Sequence, residues 1–164
     1  MEEIVQYVLD RLINREAKTL TLSSKENLSD SKKNRHYYIN NKHLVIKDIG
    51  LILLKKIIEI DESDDVVSFI YQALDYDCQV TLQLSFNAPF LMDLKWLIDS
   101  PFTFLNYQKR EYKCLNKSFI TYSDVALLDS TIILVLFDQQ QLTMLAREKL
   151  EQENIEFLER GRCE

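Results

Sequence analysis

Thr-Ile-Ile-Leu-Val-Leu-Phe, at residues 131–137, is the most continuously apolar run in the chain and the stretch that decides the fold. It is rich in β-branched residues and has the length of an ordinary strand. A strand with one solvent-exposed face would alternate apolar and polar residues, and this run does not alternate. The run therefore predicts a strand that is covered on both faces, as in a parallel sheet.

The residues after this run predict a helix and a second strand. A stripe of apolar residues at helical spacing comes first: Leu142, Leu145, Ala146 and Leu150. Charged residues occupy the opposite face, which is typical of a helix that covers a core. Asn154 fits a helix stop, and Ile-Glu-Phe-Leu at residues 155–158 predicts a short strand. Strand, helix and strand at this spacing indicate a βαβ unit of a parallel sheet.

The composition argues against several classes of function. The chain has 164 residues, 46% of them apolar and 28% charged, as in an ordinary globular domain. A net charge of −6 predicts no general attraction to nucleic acid or to an anionic membrane surface. No apolar run approaches the length of a membrane-spanning helix. Gly50 and Gly161 are the only glycines, so we expect no glycine-rich loop for a nucleotide phosphate.

No residue pattern predicts a catalytic, cofactor or metal site. Cys78, Cys114 and Cys163 are far apart and form no Cys-x-x-Cys pair, which predicts reduced thiols in a cytoplasmic protein. Cys78 precedes a predicted strand and is expected to be a buried structural thiol. His36 and His43 could face one another across a predicted hairpin, but zinc needs further ligands that no spacing supplies. We therefore expect no catalytic residue, no cofactor and no metal.

Strands and a polar segment are predicted between residues 19 and 46. Residues 19–22 fit a short strand, and the polar residues 23–35 predict a mobile loop or linker. His-Tyr-Tyr-Ile at residues 36–39 and His-Leu-Val-Ile at residues 43–46 are typical of a hairpin with an asparagine-rich turn.

Two helices and an alternating strand are predicted next. Asp48 is placed to cap a helix over residues 49–58, with three residues facing inward: Leu51, Leu54 and Ile58. Ser63 or Asp64 would cap the following helix, whose apolar face is formed by Val66, Val67, Ile70, Tyr71 and Leu74. Residues 80–86 alternate apolar and polar side chains, which predicts a strand with one buried face.

Shorter elements complete the chain before residue 131. They are a helix over about residues 91–98, a strand at 102–105, a loop or hairpin at 107–117, and a strand at 119–121. Ser123 or Asp124 would cap a helical turn to Leu128, and Trp96 is expected in the core. The whole pattern predicts an α/β or α+β fold with a mixed sheet and a C-terminal βαβ unit. Its predicted division is residues 1–22, a linker at 23–35 and one α/β domain at 36–164.

Residues 1–15 predict an amphipathic helix. Its apolar residues recur at steps of one, three and four along a single stripe: Ile4, Val5, Val8, Leu9, Leu12 and Ile13. Glutamates in the first turn and Arg11 and Arg15 toward the end complement the helix dipole. Such a stripe can pack on its own domain or dock onto another protein. The residues alone favour the first arrangement, because most amphipathic helices cover a core.

Three stretches together resemble one family. They are the first helix running into Leu-Thr-Leu-Ser at residues 20–23, Thr-Tyr-Ser-Asp-Val-Ala-Leu-Leu at 121–128, and Leu-Thr-Met-Leu-Ala-Arg-Glu at 142–148 followed by Asn154 and Ile155. In this order and spacing they resemble the PduM family of the propanediol-utilization bacterial microcompartment. The last stretch is also similar to the tails of other microcompartment-associated proteins.

The resemblance implies a structural or assembly role in a protein-shelled organelle in the cytoplasm, and no known catalytic step. It implies that the first helix docks on shell or cargo proteins through five residues: Ile4, Val5, Val8, Leu9 and Leu12. Two other classes stay open, a microcompartment-associated enzyme and a regulatory α/β domain that binds a small ligand. A deep pocket lined by convergent polar groups would favour ligand binding, whereas an exposed apolar stripe would favour assembly.

Overall fold

The computed structural model describes residues 2–87 and 89–160. Met1, in the predicted first helix, and Gly161 and Cys163 lie outside the described residues. The chain forms two compact units, Met1–Phe86 and Asn87–Glu164. Both units combine helices with β-strands, which confirms the α/β prediction and the helix at the start of the chain.

The first unit is built on three parallel strands. Its elements are α1 (Glu2–Glu16), β1 (Thr19–Ser23), α2 (Ser31–Asn40), β2 (His43–Ile49), α3 (Leu51–Glu59), α4 (Asp65–Asp75) and β3 (Gln79–Leu84). β2 lies between β1 and β3, with Leu44 opposite Leu20 on one side and opposite Val80 on the other. Alternate side chains of β3 are buried, as its sequence pattern predicts. The amino ends of all three strands therefore meet at one edge of this sheet.

The second unit carries a mixed sheet and a small two-stranded sheet. After a 3₁₀ turn at Pro89–Leu91, its elements are α5 (Leu94–Asp99), β4 (Phe102–Leu105), β5 (Glu111–Lys113), β6 (Phe119–Ile120), α6 (Tyr122–Val125), β7 (Ile132–Leu136), β8 (Gln141–Leu142), α7 (Met144–Gln152) and β9 (Glu156–Glu159). β7 pairs in parallel with β5 and β9, and β4 is antiparallel to β5. β6 pairs in parallel with β8.

The predicted βαβ unit is confirmed as β7, α7 and β9. Leu134 and Leu136 of β7 share a core cluster with Ala146 and Leu150 of α7, so the helix covers one face of the strand. The helix begins later than predicted, because the Thr143 hydroxyl caps it by accepting from the Ala146 N–H at 3.4 Å. Leu142, predicted to be helical, therefore lies in β8. Asn154 follows α7 with a φ of 54°, in agreement with the predicted helix stop.

The largest correction concerns residues 31–40, which form the helix α2. The prediction of a polar loop is wrong from Ser31 to Arg35, and the prediction of a hairpin at residues 36–46 is wrong because residues 36–39 are helical. The Asp30 carboxylate caps α2 by accepting from the Lys32 N–H at 3.0 Å. The sequence of α2 has no apolar stripe at helical spacing, and the helix buries only Asn34 and Tyr38. The division of the chain into a linker and one following domain stays a prediction.

Four smaller corrections concern two helix caps, one inward face and Trp96. α3 is capped by Gly50, because Asp48 and Ile49 still belong to β2. Its buried residues are Leu54 and Ile57, whereas Leu51 is 55% exposed.

α6 is capped by Thr121. Asp124, which was predicted as a cap, instead completes a capping box from the third position of the helix. Asp64 is confirmed as the cap of α4. Trp96, predicted in the core, is half-buried beside Phe102 and Phe104.

The capping box at α6 predicts a measurable pKa effect. The Lys117 ammonium, together with the Thr121 N–H at 2.9 Å and the Thr121 hydroxyl at 2.8 Å, lowers the pKa of Asp124 to about 2. Because this pKa is lower than in the unfolded chain, the ionised carboxylate stabilises the fold above about pH 4, and this contribution is lost as the pH falls toward 2.

Replacing Lys117 by methionine is expected to raise the pKa of Asp124 part of the way to its ordinary value, since the Thr121 hydrogen bonds remain. An NMR titration of the Asp124 carboxyl carbon measures this change. Lys113→Met is the matched control, because Lys113 is an exposed lysine on β5. An unchanged Asp124 pKa in the Lys117 variant would show that the ion pair does not form.

Candidate functional site

The apolar stripe of α1 is exposed along its whole length. The exposed fractions of its side chains are 69% for Ile4, 56% for Val5, 49% for Val8, 47% for Leu9, 50% for Leu12 and 66% for Ile13. A stripe that packed on its own unit would be buried, as the apolar face of α4 is. The structure therefore places the predicted binding residues together on one open helix face. Whether a partner binds there stays a prediction.

The carboxyl end of α1 is fixed to the rest of the first unit by Arg15. The Arg15 Nε donates to the carbonyl oxygen of Tyr38 at 3.2 Å, and its Nη2 donates to the carbonyl oxygen of Tyr76. Tyr38 lies in the last turn of α2, and Tyr76 is the residue that ends α4. Carbonyl groups at helix ends have no partner within the helix, so a guanidinium satisfies two of them here. A cation is also favourable at the negative end of a helix dipole.

Backbone and thiol groups complete this junction. The Arg15 carbonyl accepts from the backbone N–H of Lys42 at 3.2 Å. The Cys78 thiol lies 3.5 Å from Arg15 Nη2 and donates to the Asn41 carbonyl at 3.4 Å. Cys78 is 5% exposed, which confirms the predicted buried thiol. Burial raises the pKa of Cys78, and the Arg15 guanidinium opposes that rise without cancelling it.

Charged side chains border the junction. The Lys42 ammonium contacts the Asp77 carboxylate and lies 3.8 Å from Glu16, the last residue of α1. Its hydrogen bond lowers the pKa of Asp77. Sequence reasoning missed this cluster, because its members lie in separate segments. The only local signal was a basic residue in the last turn of α1.

The two histidines do not meet as predicted. His36 lies on α2, where its Nδ1 is 3.2 Å from Asn40 Nδ2, and His43 lies on β2 beside the Glu16 carbonyl. The prediction that they face one another across a hairpin is wrong, since there is no hairpin at these residues. Within residues 2–87 and 89–160, no three potential metal-ligating side chains are grouped closely enough to hold an ion.

Two surface cavities bear on the alternative of ligand binding. One, of about 610 Å³, is a mostly apolar cleft at the carboxyl ends of β2 and β3, next to Gly50 and Ser85. The other, of about 480 Å³, lies at the carboxyl end of β7 and is lined by polar groups that include Arg147 and Glu159. The Arg147 Nη2 donates to the Glu159 Oε1 at 2.9 Å, so these two side chains form an ion pair with one another. The same lining also includes Asp138, Gln139 and Arg160, so ligand binding at this cavity stays an open alternative.

The fold and the open helix define a class of protein: an α/β chain that presents an anchored amphipathic helix. A family model described as "Putative propanediol utilisation" matches residues 3–156, and the chain belongs to that family. No curated protein and no solved structure matches the chain. Among the described residues, no helix has the length and apolar character needed to cross a membrane.

Proposed function

We propose that this chain is a non-catalytic assembly protein of a bacterial microcompartment for propanediol utilisation, and that α1 docks on a shell or cargo protein of that compartment. Family membership supports the association with propanediol utilisation. The observation that carries the docking role is the exposure of the α1 stripe, whose five proposed contact residues are 47–69% exposed. A contiguous row of exposed apolar side chains is typical of a surface that binds another protein.

The physical reason for docking is the removal of this stripe from water. A helix as short as α1 is marginally stable in water unless its apolar face is covered. Each aliphatic side chain that becomes buried contributes roughly 1.5–3 kcal/mol, so two of them decide whether binding is measurable. The partner that fits is a groove or helix pair that accepts side chains at the spacing of Ile4, Val8 and Leu12.

A double substitution in the stripe tests the proposal. Val8→Asp with Leu12→Asp is expected to abolish co-purification of the chain with intact compartments, because two carboxylates would have to be desolvated in the interface. Both positions are about half exposed, so the far-ultraviolet circular dichroism spectrum and the melting temperature of the double variant should stay close to those of the unchanged chain. Co-purification is measured on compartments isolated from cells that express each variant.

The charge control is Lys95→Gln with Lys113→Gln, which lowers the net charge by the same two units outside α1. Both lysines are exposed, and neither belongs to the stripe. This control should co-purify as the unchanged chain does. If the stripe variant associates with compartments as well as the control, docking runs through another surface. If it unfolds, the helix belongs to the core.

A further inference from the structure

We propose that Arg15 is the positioning residue that fixes the direction in which α1 presents its stripe to the partner. This inference rests on the proposed function and concerns how the docking helix is held. Arg15 lies in the last turn of α1, so the anchor acts at the helix end that leads into β1. The stripe residues from Ile4 to Leu12 lie on the preceding turns, which are exposed.

The anchor joins the carboxyl ends of three helices at the amino edge of the parallel sheet. The guanidinium of Arg15, near the end of α1, bonds the carbonyls of Tyr38 and Tyr76, at the ends of α2 and α4. In return, the Arg15 carbonyl accepts the N–H of Lys42, just before β2. Bonds made in both directions, by the side chain and by the backbone of one residue, restrict how α1 can swing about its junction with β1.

Lysine could not replace arginine in this arrangement. A guanidinium presents several N–H donors in a rigid planar fork, so it reaches Tyr38, Tyr76 and Cys78 from one side chain. An ammonium is a single point of charge on a flexible stem, and it would satisfy one of these acceptors at a time. The anchor is therefore a property of the fork, and charge alone does not supply it.

Fixing α1 before binding has a consequence for affinity. A helix that hangs free must give up its orientational freedom when it docks, and that lost freedom weakens binding. A helix already held in one direction loses less. Removing the anchor is therefore expected to weaken docking while every residue of the stripe is unchanged.

The Cys78 thiol reports directly on the anchor. It is buried against Arg15 and the carbonyls of Tyr38 and Asn41, so alkylation requires the junction to open. Opening should become at least about tenfold more frequent when the charged hydrogen bonds of Arg15 are lost. The rate of iodoacetamide modification at Cys78, measured on the full chain by peptide mass spectrometry, gives this quantity without any partner.

The experiment compares Arg15→Ala, Arg15→Lys and Arg11→Ala in the full chain. Arg11→Ala is the matched control, because Arg11 is one turn earlier and lies over the Tyr7 ring of α1 itself, 5.3 Å from its centroid. Arg15→Ala is expected to raise the Cys78 modification rate and to weaken binding to isolated compartments, each about tenfold. Arg15→Lys should fall between Arg15→Ala and the unchanged chain, and Arg11→Ala should match the unchanged chain.

The two readouts separate the possible failures. Unchanged Cys78 modification in Arg15→Ala would show that the anchor does not hold the junction. Faster modification with unchanged compartment binding would show that Arg15 is structural only, and either result overturns the positioning role. If the unchanged chain itself does not bind compartments, the proposed function fails and the positioning role fails with it. Full rescue by Arg15→Lys would show that charge, and not the fork, is what matters.

Discussion

Replacing Val135 by aspartate is expected to abolish soluble expression of the full chain. Val135 is 0% exposed, and it lies in β7, which is paired with β5 on one side and with β9 on the other. A carboxylate at this position would be buried without a partner. That burial costs several kcal/mol, which is about the whole stability of a small domain. The measurement is the soluble fraction after expression, followed by circular dichroism of any soluble protein.

The matched control is the same chemical change at an exposed valine. Val5 is 56% exposed on α1, so Val5→Asp should express and fold as the unchanged chain does. A contrast between the two aspartates separates burial from any general effect of added negative charge. A well-folded Val135→Asp variant would show that β7 is not the covered strand on which the second unit is built.

Replacing Tyr38 by alanine is expected to lower the free energy of unfolding by about 3–5 kcal/mol, the range found when large aromatic side chains are removed from a core. Tyr38 is 1% exposed, and its ring packs against those of Phe69 and Tyr76 at centroid distances of 5.0 and 5.2 Å. Its hydroxyl also donates to the Phe69 carbonyl at 3.1 Å. Urea denaturation followed by circular dichroism measures the loss.

Tyr37→Ala is the control for this prediction. Tyr37 precedes Tyr38 on α2 and is only partly buried, with the Lys33 ammonium 5.6 Å from its ring centroid. Its removal should cost less, because Tyr37 keeps part of its surface in water, whereas Tyr38 is 1% exposed. Equal effects of the two substitutions would mean that α2 does not pack through Tyr38, and would return the segment to its predicted loop at residues 31–35 and hairpin at residues 36–46.

The stripe of α1 illustrates how far sequence reasoning reaches at the candidate site. Periodicity identified Ile4, Val5, Val8, Leu9 and Leu12, because helical spacing is a local property. The same spacing fits a helix that covers its own core and a helix that binds a partner. Only the structure shows that the stripe is exposed, since its exposure depends on where the following strand leads the chain; binding of a partner there stays a prediction.

Local chemistry in the sequence determined several elements. The apolar run at residues 131–137 predicted β7, because its length, its β-branched residues and its lack of alternation suit a strand covered on both faces. Alternation predicted β3, and the polar residues before an apolar face predicted a cap of α4 at Ser63 or Asp64, of which Asp64 is the cap. Each of these signals lies within a few residues of the element that it predicts.

The tertiary structure alone decided α2 and the anchor at Arg15. α2 has no apolar stripe of its own, and its packing depends on Phe69, which lies 31 positions from Tyr38. Arg15 binds carbonyl groups 23 and 61 positions away. Every residue carries a carbonyl, so no side-chain pattern marks the ones that a distant arginine will meet. Only the folded chain, by bringing three helix ends to one edge of a sheet, selects them.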